Sequence, residues 1–325
     1  MYEILKSFNE TTKLSINSDK IYVLKKIFVE DIEMYKKLSK ISNENVIRIY
    51  ETTLIENEFY AVEEFVQGVT LEKYLSEKGN LSDALTCELI KQLCNGLKAI
   101  HDIGIVHRDI NPNNIMIDEN NTLKIIDFGI SRIKKNGKTT DTHLLGTYGF
   151  APPEQYGFSQ TGFEADIYSI GVLINYMKTG CLVNEKIDKG VFYPIITKCT
   201  QIDKANRYKN TEELVSNLDK KYKIKKIIRS IPGFRQGKWW HEVIAILYFL
   251  VVILMYVTFK SEGAKSRIND YIVVTLFFVA PVPVLTNFGD WLNNFELTRN
   301  MKKSSQRVLQ IAIAAVFVIA SFFFM

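Results

Sequence analysis

At 325 residues the chain exceeds one ordinary domain, and its composition changes sharply near residue 238, from mixed charged and apolar sequence to long apolar stretches. The formal net charge of +5 is unevenly placed: residues 220–238 hold eight basic side chains (Lys220, Lys221, Lys223, Lys225, Lys226, Arg229, Arg235, Lys238) and no acid. The four cysteines, Cys87, Cys94, Cys181 and Cys199, form no close Cys-x-x-Cys pair, which argues against a zinc site or a disulfide framework and for reduced thiols in a cytosolic domain.

Met1 to Asn9 lacks the apolar core of a cleavable signal peptide. The first 65 residues predict a small β-rich unit. Tyr2–Phe8, Lys13–Asn17 and Ile21–Phe28 read as strands, Glu30–Ser42 as a helix with Ile32, Tyr35, Leu38 and Ile41 on one face, and Val46–Tyr50 and Phe59–Val66 as further strands. The sequence then turns helical. Thr86–His101 carries Leu89, Ile90, Leu93, Leu97 and Ile100 at helical spacing, and Asp166–Lys178 is strongly apolar.

Two motifs carry chemistry. The run His107-Arg108-Asp109-Ile110-Asn111-Pro112-Asn113-Asn114 follows the apolar pair Ile105-Val106, and Asp127-Phe128-Gly129 follows Leu123–Ile126. Together they supply a carboxylate to orient a hydroxyl nucleophile, and an amide plus a second carboxylate to hold a divalent cation on phosphates. Further on come Gly146-Thr147-Tyr148-Gly149-Phe150-Ala151-Pro152-Pro153-Glu154, Asp166-Ile167-Tyr168-Ser169-Ile170-Gly171, and Arg207 in a polar stretch.

On these motifs residues 1 to about 220 resemble a Hanks-type protein kinase of the bacterial serine/threonine class. The resemblance implies an α+β, two-lobed kinase fold, with a small β-rich lobe over residues 1–65 and a large helical lobe over 66–222. It implies ATP and Mg2+ (or Mn2+) as cofactors. Asp109 would accept the substrate hydroxyl proton, Asn114 and Asp127 would bind the metal, and Lys25 would neutralise the α- and β-phosphates. Lys26 competes for that last role, and strand alternation favours Lys25. A carboxylate from the following helix should hold the lysine; Glu33 is preferred, with Glu30 as the alternative. The carbonyl of Glu64 and the backbone of Val66 would bond adenine. His107 would pack near Asp127-Phe128-Gly129, Arg108 would dock a phosphorylated residue, and Asp166 would open the buried central helix. Thr147 would bond Asp109, and Glu154 would pair with Arg207. Thr139, Thr140 and Thr142 are candidate autophosphorylation sites, with a plain polar loop as the alternative.

Three departures stand against the family pattern. The segment Asn9–Ser15, where a phosphate-covering loop should carry three glycines, has none, leaving Thr11, Thr12 and Lys13 as substitutes. Asn111 stands where serine/threonine kinases place a lysine on the transferred phosphate; an amide can donate a hydrogen bond there but supplies no charge. Glu63 falls at the normally apolar gatekeeper position, and whether it pairs with Lys25 is left open by the sequence.

Beyond a basic segment, 223–238, three uncharged apolar stretches of 17 to 19 residues follow: Val243–Phe259, Tyr271–Gly289 and Val308–Met325. Each is near the roughly 20 residues that cross a bilayer. About three transmembrane helices are therefore expected, near 241–259, 271–289 and 308–325, with Pro281 and Pro283 kinking the second or making it re-entrant. The basic run should lie at anionic headgroups on the cytoplasmic face, with the C-terminus outside, rather than on nucleic acid. The expectation is a multi-pass cell-membrane protein kinase acting on protein serine or threonine, with homodimerisation left open. A weakly active or inactive pseudokinase acting as a membrane-bound ATP-binding scaffold, and a small-molecule kinase, are the rivals.

Overall fold

The computed structural model describes residues 2–129, 131–133, 146–156, 161–230, 239–258, 264–287, 292, 295–299 and 301–324. The chain divides into two units, Met1–Tyr222 and Lys223–Met325.

The first unit opens on a five-stranded antiparallel sheet in the order β1-β2-β3-β5-β4, formed by β1 (Glu3–Ser7), β2 (Thr12–Asn17), β3 (Lys20–Lys26), β4 (Ile49–Ile55) and β5 (Glu58–Glu64). Leu24, Tyr60 and Val62 pack together on one face of the sheet. Ala61, one residue out of phase on β5, joins the main core on the other. The helix between β3 and β4 is shorter than its sequence suggests. A 3-10 turn over Val29–Asp31 leads into α1 (Ile32–Leu38), which buries Met34, Tyr35 and Leu38 and stops at Ser39. The strand expected over Val46–Tyr50 instead begins at Ile49. Val46 makes only an isolated bridge to Ile125, and its apolar neighbours line the core.

After β5 the chain passes through Phe65–Gln67, outside any strand, into a sheet of β6 (Gly68–Thr70), β8 (Ile115–Asp118) and β9 (Leu123–Ile125) in the order β6-β8-β9. The strands β7 (Ile105–Val106) and β10 (Arg132–Ile133) form a separate antiparallel pair. Helices α2 (Leu71–Lys78) and α3 (Asp83–Asp102) start on the hydroxyls of Thr70 and Ser82, which accept from the amides of Lys73 and Leu85. Such caps contribute about 1 kcal/mol each. The main core forms where α3 meets α5 (Phe163–Thr179). Ile167, Ile170, Leu173, Ile174 and Met177 of α5 are fully buried, as expected of a helix apolar on most of its surface. It ends on Gly180, in the left-handed conformation, whose amide bonds the Tyr176 carbonyl. The short helices α4 (Pro153–Tyr156) and α6 (Tyr193–Cys199), and the part of α7 (Thr211–Ser230) up to Tyr222, complete the unit.

The second unit contains α8 (Trp239–Thr258), α9 (Ala264–Val274), α10 (Pro281–Leu285), α11 (Glu296–Arg299) and α12 (Lys303–Ser321). Between α9 and α10 the helix widens to a π-turn over Thr275–Val279, closed by the Ala280 amide on the Thr275 carbonyl. It lies directly before Pro281, which has no amide to donate. Three spanning helices are expected; by length and composition two helical segments among the described residues suffice to cross a bilayer, Ile268–Leu285 and Lys303–Ser321. The apolar part of α8, Val243–Thr258, is shorter.

Candidate active site

Asp109 sits in the loop after β7, where Arg108 adopts a positive φ of 71°. That turn is held from below by Asp166 on α5. Its fully buried carboxylate accepts from the backbone amides of His107 at 3.0 Å and Arg108 at 2.8 Å, and contacts His101 Nε2 at 2.7 Å. Burial works to raise the Asp166 pKa, but His101, and then His107 with its backbone amide, outweigh it and hold the carboxyl below its ordinary value. The His107 side chain points the other way. Its Nε2 lies 3.3 Å from the Ile126 carbonyl and its ring 5.2 Å from Phe128, and burial pushes its pKa down. The Ser131 hydroxyl donates to the His107 carbonyl at 3.0 Å.

The Asp109 carboxylate is fixed at both oxygens. Oδ1 accepts from the Thr147 amide at 3.0 Å and hydroxyl at 2.7 Å; Oδ2 accepts from Asn114 Nδ2 at 2.7 Å. Asn111 is 2 % exposed and part of the same ring. Its Nδ2 donates to the Thr147 hydroxyl at 2.9 Å and the Asp109 carbonyl at 3.2 Å, while its Oδ1 accepts from the Asn113 amide. Gly146 makes the approach of Thr147 feasible: at φ 119°, a Cβ there would lie 2.7 Å from that of Ala151.

Asn114 and Asp127 are brought together by the backbone. The Ile126 amide bonds the Asn114 carbonyl at 3.0 Å, and Asp127 follows at a positive φ of 63°. Asp127 Oδ1 pairs with Lys25 Nζ at 2.5 Å and accepts from the Gly129 amide at 2.9 Å. Burial works to raise the Asp127 pKa; Lys25 and the Gly129 amide outweigh it and keep the carboxyl below its ordinary value. Asn114 donates through Nδ2, so its Oδ1 and Asp127 Oδ2 are the atoms that would hold a hard cation. Two such oxygens fit Mg2+ or Mn2+, which takes its remaining ligands from water and phosphate. Lys26 points elsewhere, to Glu58.

Glu33 does not reach Lys25. Its side chain is 79 % exposed and its nearest cation is Lys37 at 3.9 Å, because α1 begins late and turns Met34 and Tyr35 inward instead. Glu30 is exposed as well. Glu63 is buried on β5, register-paired with Val23. The Glu64 side chain accepts from the Arg48 amide at 3.0 Å and Lys124 Nζ at 2.8 Å, at the end of β5; Val66 follows in the link to β6.

The glycine-free turn between β1 and β2 is closed on Asn9, whose Oδ1 accepts from the Thr11 amide and hydroxyl and the Thr12 amide at 2.7–3.0 Å. Thr11 is thus turned onto the loop itself, and the Lys13 ammonium lies over the Tyr60 ring at 5.2 Å. At the far end of the site Glu154 and Arg207 form a bidentate pair at 2.6 and 2.9 Å. The candidate phosphorylation residues Thr139, Thr140 and Thr142 lie outside the described residues. His101, Ser131 and Gln155, which donates to the Arg108 carbonyl, were not legible as site residues. The only signal for His101 is a histidine closing an apolar helix.

A two-lobed fold with a lysine–aspartate pair on one side and a clamped aspartate on the other defines a phosphoryl-transfer scaffold. The protein kinase domain family matches residues 8–243, and the chain belongs to that family. It is 29 % identical over 229 residues to a probable serine/threonine-protein kinase of Clostridium acetobutylicum, covering 61 % of this chain and 35 % of that protein. It is 26 % identical over 206 residues to the probable serine/threonine-protein kinase PknB of Lactococcus lactis, covering 56 % and 33 %. A plant relative, the SNF1-related protein kinase catalytic subunit alpha KIN12 of Arabidopsis thaliana, is 32 % identical over 166 residues, covering 48 % and 33 %. The chain thus spans about a third of the length of the curated relatives it matches.

Proposed function

We propose that the chain is a membrane-anchored kinase that transfers the γ-phosphate of ATP to serine and threonine hydroxyls of proteins, its own Thr139, Thr140 or Thr142 among them. The observation that carries this reading is the clamp on Asp109, both of whose carboxylate oxygens are aimed by Thr147 and Asn114. Asp109 takes the substrate hydroxyl proton as the hydroxyl oxygen bonds the γ-phosphorus and the bond from that phosphorus to the bridging oxygen breaks, releasing ADP. Asn114 and Asp127 hold Mg2+ or Mn2+, which when bound neutralises charge on the phosphate oxygens. Lys25 binds the α- and β-phosphates, and the backbone of Glu64 and Val66 receives adenine. Glu154 and Arg207 brace the platform that presents the protein substrate.

The apolar segments Ile268–Leu285 and Lys303–Ser321 and the basic run over residues 220–238 support anchoring at an anionic membrane face. A weakly active ATP-binding scaffold is the second reading, favoured by Asn111, which is committed to Thr147 and adds no charge at the transferring phosphate. Incubating the full-length chain with labelled ATP, Mg2+ and a protein substrate, followed by phosphoamino-acid analysis, separates them. Phosphoserine and phosphothreonine are expected. ATP binding without transfer would select the scaffold.

A further inference from the structure

A lysine that serves phosphates from a flexible four-carbon stem needs a second anchor besides Asp127, whose carboxylate is also required for the metal ion. The helix next to β3 offers none: the inward face of α1 is Met34, Tyr35 and Leu38, and Glu33 and Glu30 are exposed. The neighbouring strand does. In the antiparallel β3–β5 ladder Val23 opposes Glu63 and Lys25 opposes Ala61. Directly opposed residues share a face, so Glu63 and Lys25 stand on the same side of the sheet as diagonal neighbours, within reach of two long side chains.

Glu63 is 3 % exposed, and its Oε1 is buried without a hydrogen-bond partner among the described residues. A buried carboxylate left so is costly unless a cation faces it. Burial pushes the Glu63 pKa up to about 7, the Lys25 charge pulls it down, and Asp127 pushes it up again. The Tyr35 hydroxyl, fully enclosed, is raised by burial and then by Glu63 and Asp127, so these groups share one electrostatic pocket.

We propose that Glu63 is the positioning carboxylate of Lys25, supplied from strand β5 in place of the adjacent helix, and that it receives the ammonium when metal and phosphates engage Asp127. The proposal rests on the kinase reading for its purpose, while the Lys25–Glu63 coupling can be measured without turnover. Glu63→Gln keeps the shape and removes the charge.

The test is Mg2+-dependent ATP affinity of the full-length chain by calorimetry, with turnover and melting temperature measured alongside, for the parent, Glu63→Gln, Lys25→Met and the double variant. Glu63→Gln should weaken ATP binding or turnover by about tenfold, while the double variant falls no further than Lys25→Met alone. The melting temperature of Glu63→Gln should equal or exceed the parent's, because a buried charge is gone; a merely structural Glu63 would lower both. Unchanged affinity and turnover, or an equal loss in both Lys25 backgrounds, overturns the role. A parent that binds ATP but transfers nothing sinks the kinase reading alone, leaving the affinity cycle to judge Glu63. A parent that binds no ATP overturns both.

Discussion

Asp109 and Thr147, 38 residues apart, are joined twice: the threonine amide and hydroxyl both donate to Asp109 Oδ1, at 3.0 and 2.7 Å. The Gly146-Thr147 turn therefore fixes one oxygen of the candidate base, while Asn114 fixes the other. Clamping both oxygens removes rotamer freedom that would otherwise be lost at the moment of reaction.

If Thr147 acts through its hydroxyl, Thr147→Val should lower turnover by about tenfold, since the backbone amide at that position still donates to Oδ1 and Asn114 to Oδ2. ATP affinity should be untouched. A parallel fall in ATP affinity would place Thr147 in the nucleotide site instead.

If Asp127 binds the metal as well as Lys25, Asp127→Ala should abolish the Mg2+ dependence of ATP binding and release Lys25 from its 2.5 Å contact. Titrating ATP with and without Mg2+ reads this directly. An unchanged Mg2+ dependence would remove Asp127 from the metal site.

The Glu154–Arg207 pair is nearly dry, at 12 % and 0 % side-chain exposure. Removing one partner leaves a buried charge, so Arg207→Met and Glu154→Gln should each destabilise by about 3–5 kcal/mol. The double variant should cost less than the two losses combined. Chemical denaturation of the three variants measures it, and strict additivity would mean that the pair is not coupled.

Asp166 gives a pH dependence with a definite sign. Its folded pKa lies below the ordinary aspartate value, so its contribution to stability is present above the unfolded value and is lost as pH falls through the folded one. The parent should lose stability below about pH 4, and Asp166→Asn, less stable at neutral pH, should lose less on acidification. Identical acid profiles of melting temperature would contradict this.

The charge asymmetry around the apolar segments makes the topology expected from the sequence, with the C-terminus outside, testable. A cysteine at Ser261 should react with a membrane-impermeant thiol reagent in intact cells, and one at Ser304 should be protected. The reverse pattern would put the kinase unit away from cytosolic ATP. Protection of both would mean a hairpin anchor in place of three crossings.

What the sequence made legible follows from how locally each feature is encoded. Asp109, Asn114 and Asp127 lie in contiguous motifs whose backbone turns, with positive φ at Arg108 and Asp127, are local properties. Lys25 was separable from Lys26 by strand alternation alone. Glu33 was not, because a helix register depends on where the first turn starts, and the 3-10 turn at Val29–Asp31 shifts it. The role of Asp166 as support for the Asp109 loop, and its partner His101, rest on a contact 65 residues apart that no local pattern records. The β4 boundary was misplaced because Val46, Ile47 and Ile49 are all buried, which mimics a strand. The number of spans was not legible, because an apolar run marks a segment without fixing its helical length; two segments among the described residues suffice to cross a bilayer.

The central claim is that Asp109 takes the proton of a protein hydroxyl in an ATP-dependent transfer, and the most direct measurement compares Asp109→Asn with the parent. Labelled-ATP turnover on a protein substrate and ATP affinity should be followed in the full-length chain. The account predicts a fall in turnover on the order of 10²–10⁴ with ATP affinity little changed. Equal turnover by the two proteins would contradict it.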